Sequence, residues 1–168
     1  MVAQQQVRKY AGIGSRETPS YILNLMARAG KVYAEEGWIL RSGGAPGADS
    51  AFERGCDLVG GEKQIFLPWK GFNGNPGIAH DVPKVAFMLL DDLFPEAKDR
   101  KPSVRNLLAR NMQQILGPNL DDPSDLVICW MKKRTPTGGT GWAFRAAKEF
   151  GIPVINLLHE ETELFMYL

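Results

Sequence analysis

Three short stretches carry glycine and hydroxyl residues where a strand would hand over to a helix. They are Gly12-Ile13-Gly14-Ser15, Ser42-Gly43-Gly44-Ala45-Pro46-Gly47-Ala48-Asp49 and Thr137-Gly138-Gly139-Thr140-Gly141. Glycine at such a turn lets the backbone reach positive φ and come close to a ligand. The helix that begins there offers unpaired N–H groups and a partial positive charge, which suits a phosphate. Ser42 and Thr140 add hydroxyl donors, and Arg16 adds a charge-assisted one. No turn matches the standard dinucleotide fingerprint or a Walker A loop. Other polar residues lie along the chain. Asp49 and Glu53 stand one helical turn apart and share a face. Arg110-Asn111 sits in an amphipathic segment, and Lys132-Lys133-Arg134 forms a short basic run. Trp69, Phe72 and Asn73 fall in a loop rich in glycine and asparagine, where the aromatic pair can stack on a base. His80 and His159 are isolated, and Cys56 and Cys129 lack metal-ligand spacing. No metal and no cofactor is expected, and the two cysteines read as buried free thiols.

These residues need a scaffold, and 168 residues suffice for one domain. The chain is 44% hydrophobic and 23% charged, close to a globular average. Twenty Lys and Arg against 19 Asp and Glu give a net charge of +1, which excludes a strongly basic coat. The longest apolar runs, Val85-Leu90 and Leu126-Met131, fall far short of the ~20 residues that span a bilayer. The start of the chain is polar and carries no apolar signal core, so a cytoplasmic protein without a membrane partner is expected.

Strand and helix patterns alternate. Short strands are expected at Val7-Ile13, Trp38-Leu40, Gln64-Leu67, Asp125-Met131 and Ile152-Leu157. Thr18 reads as an N-cap with Pro19 at the first helical position, and Ile22, Met26, Ala29 and Tyr33 follow at helical spacing. Further helices are expected from near Gly47 to Val59-Gly61, over Lys84-Leu93, over Val104-Leu116, and after Gly141 as far as Phe150. The stretch at about 68–101 reads as an insertion. Such alternation predicts an α/β fold: a Rossmann-like doubly wound sandwich on a mainly parallel sheet of about five strands. With strand order 3-2-1-4-5, all three glycine turns meet at one edge, outside the carboxyl ends of the strands.

The motifs occur in a recognisable order. Gly-Ile-Gly-Ser-Arg at 12–16, Ser-Gly-Gly-Ala-Pro-Gly-Ala-Asp at 42–49, Leu-Pro-Trp at 67–69, Phe-Asn-Gly-Asn at 72–75, Ala-Arg-Asn at 109–111 and Gly-Gly-Thr-Gly at 138–141 resemble the SLOG superfamily. That group includes the DprA/Smf DNA-processing proteins, the YspA-like proteins and the LOG ("lonely guy") phosphoribohydrolases. The chain is most similar to the small single-domain members of phages and bacteria, which would place it in a host cytoplasm if phage-encoded. The resemblance implies binding of a nucleotide or nucleotide-derived ligand. Its site would comprise Gly14, Ser15, Arg16, Ser42, Gly43, Gly44, Gly47, Asp49, Trp69, Asn73, Arg110, Asn111, Gly138, Gly139, Thr140, Gly141 and Arg145. In the LOG pattern a catalytic Glu stands where this chain has Arg145, a Thr where it has Trp142, and a Lys where it has Asn111. A nucleoside-monophosphate N-glycosidase would therefore have to use Asp49 or Glu53. A third alternative is a DprA-like mediator that binds single-stranded DNA through Lys70, Lys101 and Lys132-Arg134. Relatives in the superfamily are commonly dimers, and the apolar helix Val85-Leu93 is the expected interface.

Overall fold

A computed structural model describes residues 6–76, 81–132 and 138–168. His80, Lys133, Arg134 and Thr137 lie outside them. Five strands form one all-parallel sheet in the order β3-β2-β1-β4-β5. They are β1 (Lys9–Gly14), β2 (Ile39–Ser42), β3 (Lys63–Ile65), β4 (Leu126–Trp130) and β5 (Val154–Asn156). The helices are α1 (Ser20–Glu35), α2 (Ala48–Asp57), α3 (Lys84–Leu93), α4 (Pro102–Leu116) and α5 (Gly138–Glu149). This is a Rossmann-like α/β architecture with the strand order that brings the glycine turns together.

The sheet is apolar on both sides because helices cover both. Residues alternate across it along each strand. Tyr10, Leu126, Ile128 and Trp130 face α1 and α2, while Ala11, Ile13, Val127 and Cys129 face α4 and α5. Every residue of β4 is buried, as expected of a central strand. In α1, Ile22, Met26, Ala29 and Tyr33 form the buried stripe. The α1 and α2 backbones touch where Gly30 meets Phe52 and Gly55 meets Ala27, so a methyl group at either glycine would drive the helices apart. A third core, with Leu90, Phe94, Leu108, Met112 and Trp142, joins α3, α4 and α5. Each such side chain contributes roughly 1.5–3 kcal/mol when fully buried.

Arg41 is wholly buried within β2. It donates to Gln64 Oε1 (2.8 Å), the Asp122 carbonyl (2.6 Å), Asp122 Oδ2 (2.5 Å) and Ser124 Oγ (3.1 Å). Burial pushes its pKa down and the Asp122 carboxylate opposes that shift. The guanidinium thus ties β2 to the segment entering β4. Cys56 and Cys129 are buried free thiols, and burial pushes the Cys129 thiol up to about 12.

Several boundaries differ from the sequence pattern. Thr18 is not an N-cap: its hydroxyl donates to the Ser15 carbonyl (2.5 Å), and α1 begins only at Ser20, with Pro19 in the cap position. Side-chain closure of the turn competes with capping and wins here. β3 and β5 are three residues each, shorter than expected, because edge strands pair on one side only. The third glycine motif does not precede its helix but forms the first turn of α5. Residues 95–99 form a 3-10 turn that the sequence pattern does not indicate. Among the described residues no helix is long and apolar enough to cross a membrane, and no cluster of His, Cys, Asp and Glu has metal-site geometry.

Candidate functional site

A cleft of about 670 Å³ opens at the carboxyl edge of β1 and β4. Gly14, Ser15, Arg16 and Glu17 leave β1 on one side, and Gly138, Gly139 and Thr140 start α5 on the other. Asp49 of α2 and Arg110, Asn111 and Gln114 of α4 line it as well. Ile13, Phe72, Leu107, Met131 and Ala143 supply its apolar surface.

Of the Ser42-to-Gly47 turn only Ala45 lines the cleft, with Asp49 from the helix that follows. Asp49 Oδ2 accepts the N–H groups of Gly43 (3.1 Å) and Ala45 (3.3 Å). Glu53 Oε1 accepts Ser42 Oγ–H (2.6 Å) and the Gly44 N–H (3.1 Å). Gly43 and Gly44 are therefore not free to take a phosphate, contrary to the sequence expectation. The carboxylates four residues apart on α2 act as the turn's own anions. Gly47 reaches φ +88° at the N-cap of α2 and lies against the Ser15 and Arg16 backbone. Asn73, at φ +53°, donates from Nδ2 to the Gly44 carbonyl (3.0 Å) and braces the same turn.

Arg110 is buried behind that turn. It donates from Nη1 to the carbonyls of Gly43 and Phe66 and from Nε to Asn111 Oδ1 (3.1 Å). Its Nη2 makes no hydrogen bond among the described residues. Burial pushes the Arg110 pKa down, and Asp49 and Glu53 hold it up. Arginine stays charged throughout. Asp49 is 5% exposed, and burial raises its carboxyl to about 6 against the pull of Arg110. Oδ2 is committed to the turn, whereas Oδ1 has no hydrogen-bond partner among the described residues. Burial likewise raises Glu53, opposed by the Ser42 hydroxyl.

Among the described residues nothing covers the start of α5. The first four N–H groups of a helix have no intrahelical partner. Gly138 is at φ +69°, and among the described residues nothing lies within 4 Å of where a methyl group would sit; at Gly139 such a group would meet, among them, Asn111 Nδ2 at 3.6 Å. Asn111 Nδ2 donates to the Gly139 carbonyl (3.1 Å) and fixes the turn against α4. Arg16 faces this end of the cleft with no hydrogen bond or ion pair among the described residues. Lys132 Nζ, also at the cleft, pairs with Glu17 Oε2 at 3.1 Å. The arrangement can hold an anion at α5 and a hydrogen-bond donor at Asp49.

Not every expected residue lines the cleft. Arg145 points to the far side of α5, where it pairs with Glu96 (3.1 Å) and lies 4.5 Å from the Phe94 ring centroid. Trp69 stands edge-on to Phe72 with centroids 5.1 Å apart, and of the two only Phe72 reaches the cleft. Ser42, Gly43, Gly44 and Gly47 stand behind its wall, and Gly141 is buried within α5. Arg110 and Asn111, whose pattern equally fits a solvated helix face, are 4% and 8% exposed. Glu17, Leu107, Gln114 and Met131 belong to none of the expected site residues, yet they line the cleft. Leu107, Arg110, Asn111 and Gln114 follow i, i+3, i+4, i+7 spacing, so one helical stripe contains the signal.

No family model and no curated protein matches the sequence. Solved structures do match the fold. DNA processing protein A from Helicobacter pylori, which has a distinctive single-stranded DNA binding mode, aligns with TM-score 0.59 and 20% identity over 95% of this chain and 72% of that one. DNA processing protein A from Streptococcus pneumoniae gives TM-score 0.56 and 18% identity over 96% of this chain and 55% of that one. The molybdenum cofactor carrier protein from Chlamydomonas reinhardtii gives TM-score 0.55 and 18% identity over 88% of this chain and 74% of that one. At such identities the likeness shows a DprA-like fold.

Proposed function

We propose that the cleft binds a nucleotide or nucleotide-derived small molecule, and that the protein senses or sequesters it. The observation that carries this reading is the N-terminus of α5, uncovered among the described residues, beside Arg16, which has no hydrogen bond or ion pair among them. A phosphate there accepts backbone N–H groups and pairs with a guanidinium. The other end of the ligand meets Phe72, Leu107 and the free Oδ1 of Asp49, which suits a ring bearing an N–H or O–H donor. The motif order of the SLOG superfamily supports the same reading.

Gly139→Val tests it. The side chain enters open space at the cleft, so stability changes by less than about 1 kcal/mol while the close backbone approach is blocked. Calorimetric titration with nucleoside monophosphates is expected to show at least about a tenfold loss of affinity. Equal binding by both proteins would remove α5 from the site.

A second reading, binding of single-stranded DNA, draws on the two DNA processing proteins of like fold. Of the cations named for it, Lys70, Lys101 and Lys132 are exposed. A salt-dependent shift of a labelled oligonucleotide would establish it. The N-glycosidase alternative has less to draw on. Glu53 is committed to the Ser42–Gly44 turn, which leaves Asp49 as the carboxylate with a free oxygen at the cleft. No rapid release of free base from nucleoside monophosphates is expected. The dimer follows as a proposal from α3, where Val85 is 45% and Met88 65% exposed.

A further inference from the structure

The mouth of the cleft is bridged by one ion pair. Glu17 lies on the turn after β1 and Lys132 on the stretch after β4, and the two side chains are 65% and 67% exposed. Both line the cleft beside Arg16 and the start of α5. A carboxylate therefore already occupies Lys132, which with Arg16 is one of the two cations that the described residues place at the end of the cleft that suits an anion. An ion pair this exposed is worth only about 0–1 kcal/mol, so a stronger anion can take its place. Lysine suits such an exchange, because its ammonium is a point charge on a flexible stem.

Resting on the nucleotide reading above, we propose that Glu17 is an internal stand-in for the ligand's phosphate, which a ligand must displace to reach Lys132 and which a phosphate monoester displaces more readily than a diester. To reach Lys132 a ligand must displace Glu17 and then sit near the freed carboxylate. A monoester dianion, with about two charges at neutral pH, gains more from Lys132, Arg16 and the α5 terminus than the exchange costs. A diester, with one charge, replaces one monoanion by another and gains little. The preferred ligand class is thus a nucleotide with a terminal phosphate, not a cyclic nucleotide or an internal phosphate of a nucleic acid.

A double-mutant cycle tests this. The probes are AMP and GMP and their 3′,5′-cyclic diesters. The proteins are wild type, Glu17→Gln, Lys132→Gln and the double variant, each checked for an unchanged melting curve. Glu17→Gln is expected to tighten monoester binding by about threefold to tenfold and diester binding by no more than that, because the ligand is spared the exchange and the dianion is spared the stronger repulsion. With Lys132→Gln already present, Glu17→Gln is expected to change either affinity by less than about twofold. If the full gain persists without Lys132, Glu17 acts by plain repulsion and the stand-in role is overturned. It is also overturned if wild type binds and Glu17→Gln tightens neither ligand, while the nucleotide reading survives. If no probe binds any of the proteins, the nucleotide reading falls and takes the inference with it.

Discussion

The turns that lead into α2 and α5 share a glycine-rich signature and meet opposite fates. At the second and sixth positions of α2 stand Asp49 and Glu53; at the same positions of α5 stand Gly139 and Ala143. The first pair folds back and satisfies the N–H groups of Gly43, Gly44 and Ala45. The second pair has no polar atom to offer and lines the cleft instead. Glycine spacing alone thus does not mark an anion site. The side chains in the first two turns of the helix decide whether the loop is filled from within or left for a ligand.

The contrast can be broken from either side. The largest effect is expected from Gly43→Ala. The new methyl would meet Arg110 Nη1 at 2.5 Å and Asp49 Oδ2 at 2.7 Å, and displacing a buried charge should cost about 3 kcal/mol or more in a urea titration. Gly139→Val, at the open turn, should leave the midpoint almost unmoved. Equal losses at both sites would mean that the two turns are packed alike.

Next comes pH. Burial lifts Asp49 from 3.8 to about 6. Between those values the folded chain keeps a proton that the unfolded chain has released. Its stabilising share is therefore full near pH 4 and is lost as pH rises through about 6, by up to about 3 kcal/mol. Asp49→Asn lacks this slope. Denaturation of both proteins at about pH 4 and pH 7 measures it, and parallel pH dependence would mean that the carboxyl is not strained by its burial.

The smallest effect is expected at Arg145. Its partner Glu96 is about half exposed, so Arg145→Ala should cost less than about 0.5 kcal/mol and leave nucleotide affinity within about twofold. A clear loss of affinity would return Arg145 to the binding surface.

The sheet is legible in the sequence because alternating elements and a fully apolar β4 admit few topologies. The edge where the turns gather follows from strand order alone. The closing of the second turn is not legible, although the spacing of Asp49 and Glu53 puts them on one helical face. Whether that face looks inward to its own loop depends on packing. Counting along the motif rather than around the helix misplaces Arg145. At 3.6 residues per turn it lies about 120° from Gly139, on the face that meets residues 94–96. Gln114 escapes notice because a glutamine in an amphipathic helix is ordinarily solvated, yet here it is 1% exposed.

The two turns also differ in when they can exist. The carboxylate contacts that close the α2 turn span four to eleven residues, from Ala45 to Asp49 and from Ser42 to Glu53, and form within one βα unit. The cleft joins Gly14–Glu17 to Gly138–Thr140 and needs β4 in register beside β1, with Gly14 opposite Trp130. That is a contact of high sequence separation, late to form and costly in loop entropy. The first half of the chain thus holds the α2 turn with its two carboxylates and half a binding site, while Arg110, which braces the Gly43 carbonyl, comes from the second half. A ligand therefore adds its binding energy only once β4 and α5 are in place, and its presence reports that these two elements have docked.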